Sequence, residues 1–145
     1  MYNKVVVAVD LSDETKKVVE RALGLVESQA DKLVLVHVVE PIPTVWGMET
    51  YTLDPIDLQQ RIVDNAADVL AKLGESNGIK AGNLHTVLGP PAGEIRDLAE
   101  KQGADAIVIG SHGHAGWKRL LGSTAIKLLH GATCDVLTVY VGDKG

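Results

Sequence analysis

Four glycines fall within thirteen residues in GSHGHAGWKRLLGST, from Gly110 to Thr124, directly behind the apolar run AIVIG. A glycine-rich loop between a buried strand and a helix lets an anion approach the backbone, because glycine has no Cβ in the way. Neither common phosphate-loop spacing fits. A Walker A loop needs G-x-x-x-x-G-K-[ST]. Its nearest counterpart here, Gly116 to Gly122, encloses five residues and has no lysine behind it. The dinucleotide fingerprint G-x-G-x-x-G belongs after the first strand, and the first strand here ends AVDLSDE without a glycine. What remains is Gly110-x2-Gly113, an eight-residue spacer, and Gly122-Ser123-Thr124 leading into a helix. A helix start at that point offers unpaired N–H groups, the positive end of a dipole, and the hydroxyls of Ser123 and Thr124. Two readings stand: an anion site, or glycine turns with Ser123 as an ordinary helix cap.

Other reactive side chains form weaker patterns. His112 and His114 are two apart, but no cysteine or carboxylate stands near them to complete a metal set. Ser12, His112 and Asp10 could be assembled into a nucleophile triad, yet no G-x-S-x-G elbow is present. Cys134 has no activating neighbour and reads as an inert thiol. His37 lies in a strand-like run and reads as a hydrogen-bonded core residue, while His85 and His130 carry no pattern. Lys118 and Arg119 suit a phosphate or a solvated helix face equally well. No residue is assigned a catalytic role, and no metal ligand is assigned.

The elements that must position these groups alternate in type. Strand-like runs are KVVVAVD (4–10), LVLVHVV (33–39), LHTVL (84–88), AIVIG (106–110) and DVLTVYV (135–141). Several are nearly continuous in apolar residues, as strands buried on both faces are. Helical spacing appears between them. Val18, Ala22, Leu25 and Val26 form a stripe over 13–29, with Ser12 as N-cap and Asp13 and Glu14 in the first turn. Leu58, Ile62, Ala66, Val69 and Leu73 form a second stripe, opened by Asp54 and Pro55. Ile95, Leu98 and Ala99 mark a third helix stopped by Gly103, and Ile126, Leu128 and Leu129 a fourth stopped by Gly131. The β-α-β alternation predicts an α/β fold, an open parallel sheet of five strands with helices on both faces. The segment EPIPTVWGMETYTLDP (40–55) is too long for an ordinary connection and reads either as a functional loop or as a surface insertion.

The whole chain, 1–145, reads as one domain. With 46% hydrophobic and 23% charged residues it has the composition of a soluble globular protein, with a core of Val, Ile, Leu and Ala because aromatics are only 3%. A net charge of −5 argues against nucleic acid as the partner. No apolar run reaches the roughly 20 residues of a membrane span. The N-terminus lacks the features of a signal peptide, and the single cysteine fits a reducing cytoplasm.

In open α/β sheets, ligands bind beyond the carboxyl ends of the strands, where strand order reverses. The residues just past each strand are Asp10-Leu11-Ser12, Glu40-Pro41, GPPAGE (89–94) and the glycine loop. On VVVAVDLSDET, LVHVVE, GPPAGEI and GSHGHAGWKRLLGSTAIKLLHGATCDVLTV, the chain resembles the universal stress protein family, of the UspA-like kind, over nearly its full length. Nucleotide-binding members carry G-x2-G-x9-G-[ST] after the fourth strand; the long spacer here is one residue shorter.

The resemblance implies a Rossmann-like sheet, similar to adenine nucleotide alpha hydrolases, in the order 3-2-1-4-5, which brings Asp10 beside Gly110. It further implies the backbone near Ala8, Val9 and Asp10 at base and ribose, and Val38 hydrogen-bonding adenine. Ile109 and Gly110 then lie along the ribose. Gly113, Gly122, Ser123 and Thr124 hold the phosphates, and Pro91 shapes the rim. ATP or AMP, with ADP a further option, is the implied ligand, with Mg²⁺ accompanying ATP. Asp10 also has a plainer use, as a cap of the turn that follows it. In that order the last strand is a long apolar edge, a template for pairing. A homodimer through Val136, Leu137, Val139 and Val141 is the expectation, as is common in the family.

Three functions follow: a nucleotide-binding stress or signalling module with little or slow hydrolysis, a slow ATPase or phosphoryl or nucleotidyl transferase at the same site, and a partner-binding dimer without nucleotide. A receiver domain would want an acidic pair after the first strand, an aspartate after the third and a lysine after the last, and AVDLS, VLGPP and YVGDK do not provide that set.

Overall fold

Val5, Val6 and Val7 are each fully buried, so the first strand has no solvent face at all. That is the arrangement its β-branched, unalternating sequence demands. The computed structural model describes residues 2–42, 55–110 and 117–140, with the side chains of 55 and 117–123 outside the description. The strands are β1 (Val5–Ala8), β2 (Leu33–Val39), β3 (Leu84–Leu88), β4 (Ala106–Gly110) and β5 (Asp135–Val139). They form one five-stranded sheet in the order β3-β2-β1-β4-β5, and every pairing is parallel. The helices among the described residues are α1 (Thr15–Leu25), α2 (Pro55–Ser76), α3 (Pro91–Gln102) and α4 (Trp117–Gly131).

Side chains alternate across the sheet and divide the core in two. On one face Val5, Val7, Leu33, Leu35 and Val108 meet Val18, Val19, Ala22 and Val26 around α1, and Leu70 of α2. On the other, Val6, Ala8, Val34, Val36, Ile107 and Ile109 meet Ala92, Ile95 and Ala99 of α3, and Leu128 of α4. Each fully buried aliphatic side chain contributes about 1.5–3 kcal/mol to holding the layers together.

The strand boundaries match the pattern closely, with 5–8 observed for 4–10 and 135–139 for 135–141. The helices differ in instructive ways. α1 starts at Thr15, not 13, and its N-cap is Glu14, which makes no side-chain cap bond. Ser12 acts one turn earlier: its hydroxyl oxygen accepts the Glu14 N–H at 3.2 Å, and its carbonyl accepts the Thr15 N–H. The helix ends at Leu25, short of 29, because Glu27 and Ser28 take left-handed φ of 55° and 63°. On α2 the buried face is one position round from the expected stripe. Leu70 and Ala66 are buried, whereas Ile62 and Val69 are 40% and 41% exposed. α3 stops where expected, at Gly103, whose φ of 65° is a left-handed cap. Asp54 and most of the 40–55 segment lie outside the described residues; at its near end the Ile42 N–H donates to Gln59 Oε1 of α2 at 2.8 Å.

Candidate functional site

The register Ala8↔Ile109 sets the end of β1 beside the end of β4, and Ala8↔Val36 sets β2 on its other side. The connections leave in opposite directions from β1, which makes this the reversal point of the sheet. Ala8, Val9, Val38 and Ile109 are buried there, Gly110 ends β4, and Asp10 emerges half-buried. These six residues, three chain segments apart in sequence, share one rim.

Asp10 is tightly held. Its Oδ1 accepts from the Ser12 N–H at 3.0 Å, the Ser12 hydroxyl at 2.7 Å and the Thr15 hydroxyl at 3.1 Å. The plainer use foreseen for it, capping the next turn, is therefore present. The turn puts Leu11 at φ 62°, an uncommon conformation for a bulky side chain, which those bonds enforce. On β2, His37 Nδ1–H donates to the Val9 carbonyl at 2.8 Å and fixes the strand end.

Beside this rim, between the start of α3 and the second half of α4, lies a cleft of about 830 Å³. Pro91 and Thr124, both singled out in the sequence, line it together with Glu40, Gly93, Arg96, Lys127 and His130. Thr124 is only 4% exposed. Its hydroxyl has no hydrogen-bond partner among the described residues. The α3 N-cap is Pro90, which supplies no side-chain cap. Sequence reasoning missed Arg96, Lys127 and His130. The signal was spacing: Lys127 and Gly131 follow Thr124 by three and seven residues and so share its side of α4.

Other expectations fare differently. α4 begins at Trp117, so Gly122, Ser123 and Thr124 are in the helix rather than at its start. The free N–H groups of that helix belong to its first turn, from Trp117, and the helix-start argument for Gly122 does not hold. Trp117 to Leu121 contains no breaker, and helix formation runs through the glycine. Gly113, His112 and His114 lie outside the described residues. Val139 is 3% exposed, so its side chain packs into the core rather than outward. Val136 also packs partly inward, Leu137 is 40% exposed, and Val141 lies outside the described residues. Ile126 and Leu129, expected on the core side of α4, are 58% and 64% exposed.

At the opposite rim, burial pushes the Cys134 thiol up from its ordinary value, with Asp135, Asp105 and Glu100 adding to the effect. An inert thiol is the consequence. Among the described residues no group of three His, Cys, Asp or Glu could hold a metal, and no helix is long and apolar enough to cross a membrane.

Residues 1–140 match the family model described as the universal stress protein family. Universal stress protein A homolog 1 of Coxiella burnetii is 37% identical over 140 residues, covering 97% of each chain. The structure of hypothetical protein MJ0577, a structural-genomics test case for assigning biochemical function, superposes with a TM-score of 0.79 at 25% identity over 100% of this chain and 99% of the other. A crystal structure of a universal stress protein in complex with cAMP is 26% identical with a TM-score of 0.59, over 97% and 98% of the two chains. A match over this length, on a sheet of this order, places the chain in the universal stress protein family.

Proposed function

We propose that this chain is a stress-response module that binds an adenine nucleotide, ATP or AMP, beyond the carboxyl ends of β1 and β4. The observation that carries the reading is the convergence of Ala8, Val9, Asp10, Val38, Ile109 and Gly110 at the point where strand order reverses. Binding of cAMP by a relative supports the ligand class. The described residues fit a nucleotide: Gly110 has no side chain to block the rim, and the Thr124 hydroxyl stands unpartnered in the adjoining cleft. Gly113, Gly122 and Ser123 complete the proposed phosphate contacts. They offer no protein cage for Mg²⁺, which would accompany ATP on its phosphates and water, as this cation commonly does. No group is assigned as a base toward the γ-phosphate, so hydrolysis is slow at most.

The module acts as a homodimer in the cytoplasm. Leu137 on the edge strand β5, with Ile126 and Leu129 on the adjoining α4, supports the interface by its exposure.

The test is to denature the purified protein and identify any released nucleotide by mass spectrometry, then follow ATP turnover. An adenine nucleotide with turnover far below about 1 per second is expected. Turnover at that rate or above makes the protein an ATPase or transferase. No nucleotide at millimolar supply leaves a partner-binding dimer. Leu137→Asp should give monomers on sedimentation; an unchanged dimer moves the interface elsewhere.

A further inference from the structure

We propose that the cleft between α3 and α4 is a binding site for a phosphoryl anion, held by Arg96, Lys127, the Thr124 hydroxyl and the amides that open α3. The lining sets three cationic or protonatable side chains, Arg96, Lys127 and His130, against one carboxylate, Glu40. Pro91 has no N–H, and the Glu94 N–H is taken by the Pro90 carbonyl. The N–H groups of Ala92 and Gly93, both on the lining, have no acceptor among the described residues. An uncapped helix start is common and by itself indicates nothing. Here it faces a cleft that is also lined by Thr124, a residue only 4% exposed whose hydroxyl has no hydrogen-bond partner among the described residues. That hydroxyl opens onto the cleft and can donate its proton to a ligand oxygen there.

Arg96 has a competing use, because its Nη1 donates to the Lys127 carbonyl near the end of α4 at 3.5 Å. That is one long bond from a fork of five donors, and among the described residues it is the one Arg96 makes. The fork lies across Gly131, where a Cβ would stand 2.5 Å from Nη1 and 3.0 Å from Cζ. A glycine at this position therefore lets the guanidinium lie against the helix at the cleft wall. Planar donors of this kind suit phosphate oxygens.

The phosphoryl group could be carried by the proposed nucleotide, and to that extent the inference rests on the nucleotide reading; free phosphate presents the same chemistry. Calorimetric titration of ATP, AMP, adenosine and inorganic phosphate separates the two. It is run on the wild type and on Arg96→Gln, Thr124→Val and Gly131→Ala. If the nucleotide tail occupies the cleft, Arg96→Gln weakens ATP by about tenfold, the worth of one charge-assisted contact, and leaves adenosine unchanged. Gly131→Ala keeps the charge but displaces the fork, and is expected to weaken ATP in the same direction by less. It also serves as the test if Arg96→Gln fails to fold. Phosphate binding that Arg96→Gln abolishes, with no binding of any adenine compound, upholds the cleft and overturns the nucleotide reading. ATP affinity unchanged in all three variants, or no binding of ATP, AMP or phosphate by the wild type, overturns the cleft.

Discussion

Against one face of the sheet, α1 and α2 bring Val18, Val19, Ala22 and Leu70 onto Leu33 and Leu35, and the layer closes. Against the other, α3 brings alanines, Ala92 and Ala99, beside Ile95, and α4 brings Leu128 as its fully buried leucine. Small residues and a glycine at the start of α3 leave volume near the carboxyl rim, and the cleft is that volume. The remaining large apolar side chains described on α4, Ile126 and Leu129, turn outward. One face thus closes over the sheet, and the other leaves an open cleft with a few charged side chains next to the strand ends. A cleft of this size beside a reversal point lies where an open α/β sheet takes its ligands.

The largest effect expected from this contrast is on core truncation. Leu35→Ala should cost about 4–5 kcal/mol in equilibrium denaturation, near the top of the range for buried leucines, because the cavity it leaves is enclosed. Leu128→Ala should cost about 2–3 kcal/mol, since its space can merge with the cleft and take water. Urea unfolding of both variants measures the difference. Equal losses, or the reverse order, would mean that the two faces are packed alike.

Much of this was legible in the sequence. The valine runs 33–39 and 106–110 named their strands to the residue, because a strand buried on both sides leaves no alternation to misread. Gly103 named the end of α3, because its left-handed φ is a glycine conformation. Helix faces were harder. A stripe on α2 that included Ile62 and Val69 fits helical spacing as well as the one centred on Leu70, and only the neighbouring layer chooses between them. The start of α4 was misplaced because glycine breaks a helix weakly, by about 1 kcal/mol relative to alanine, and context outweighs it. The strand-end residues of the site were legible, since topology assembles them. Arg96 and Lys127 were not: they sit inside amphipathic helices, where a charged residue ordinarily marks solvent, and the cavity that gives them a different meaning exists only after α3 and α4 pack.

The smallest expected effect sharpens the comparison most. The two buried polar side chains among the described residues are Thr15 and Thr124, each 4% exposed. Thr15 donates to Asp10 Oδ1, whereas Thr124 has no partner among the described residues and lines the cleft. Valine has nearly the same shape, so replacement isolates the hydroxyl. Thr15→Val should lose about 1–2 kcal/mol, a hydrogen bond to a carboxylate offset by apolar gain. The Ser12 donors remain on Asp10 Oδ1, so that carboxylate is not stranded. Thr124→Val should change stability by less than about 0.5 kcal/mol in ligand-free protein, because no bond within the fold is lost. Both values come from the same urea titrations, run on protein stripped of small molecules. A loss for Thr124→Val as large as that for Thr15→Val would show that its hydroxyl is already satisfied within the fold, and the cleft would then have no waiting donor to offer a phosphate.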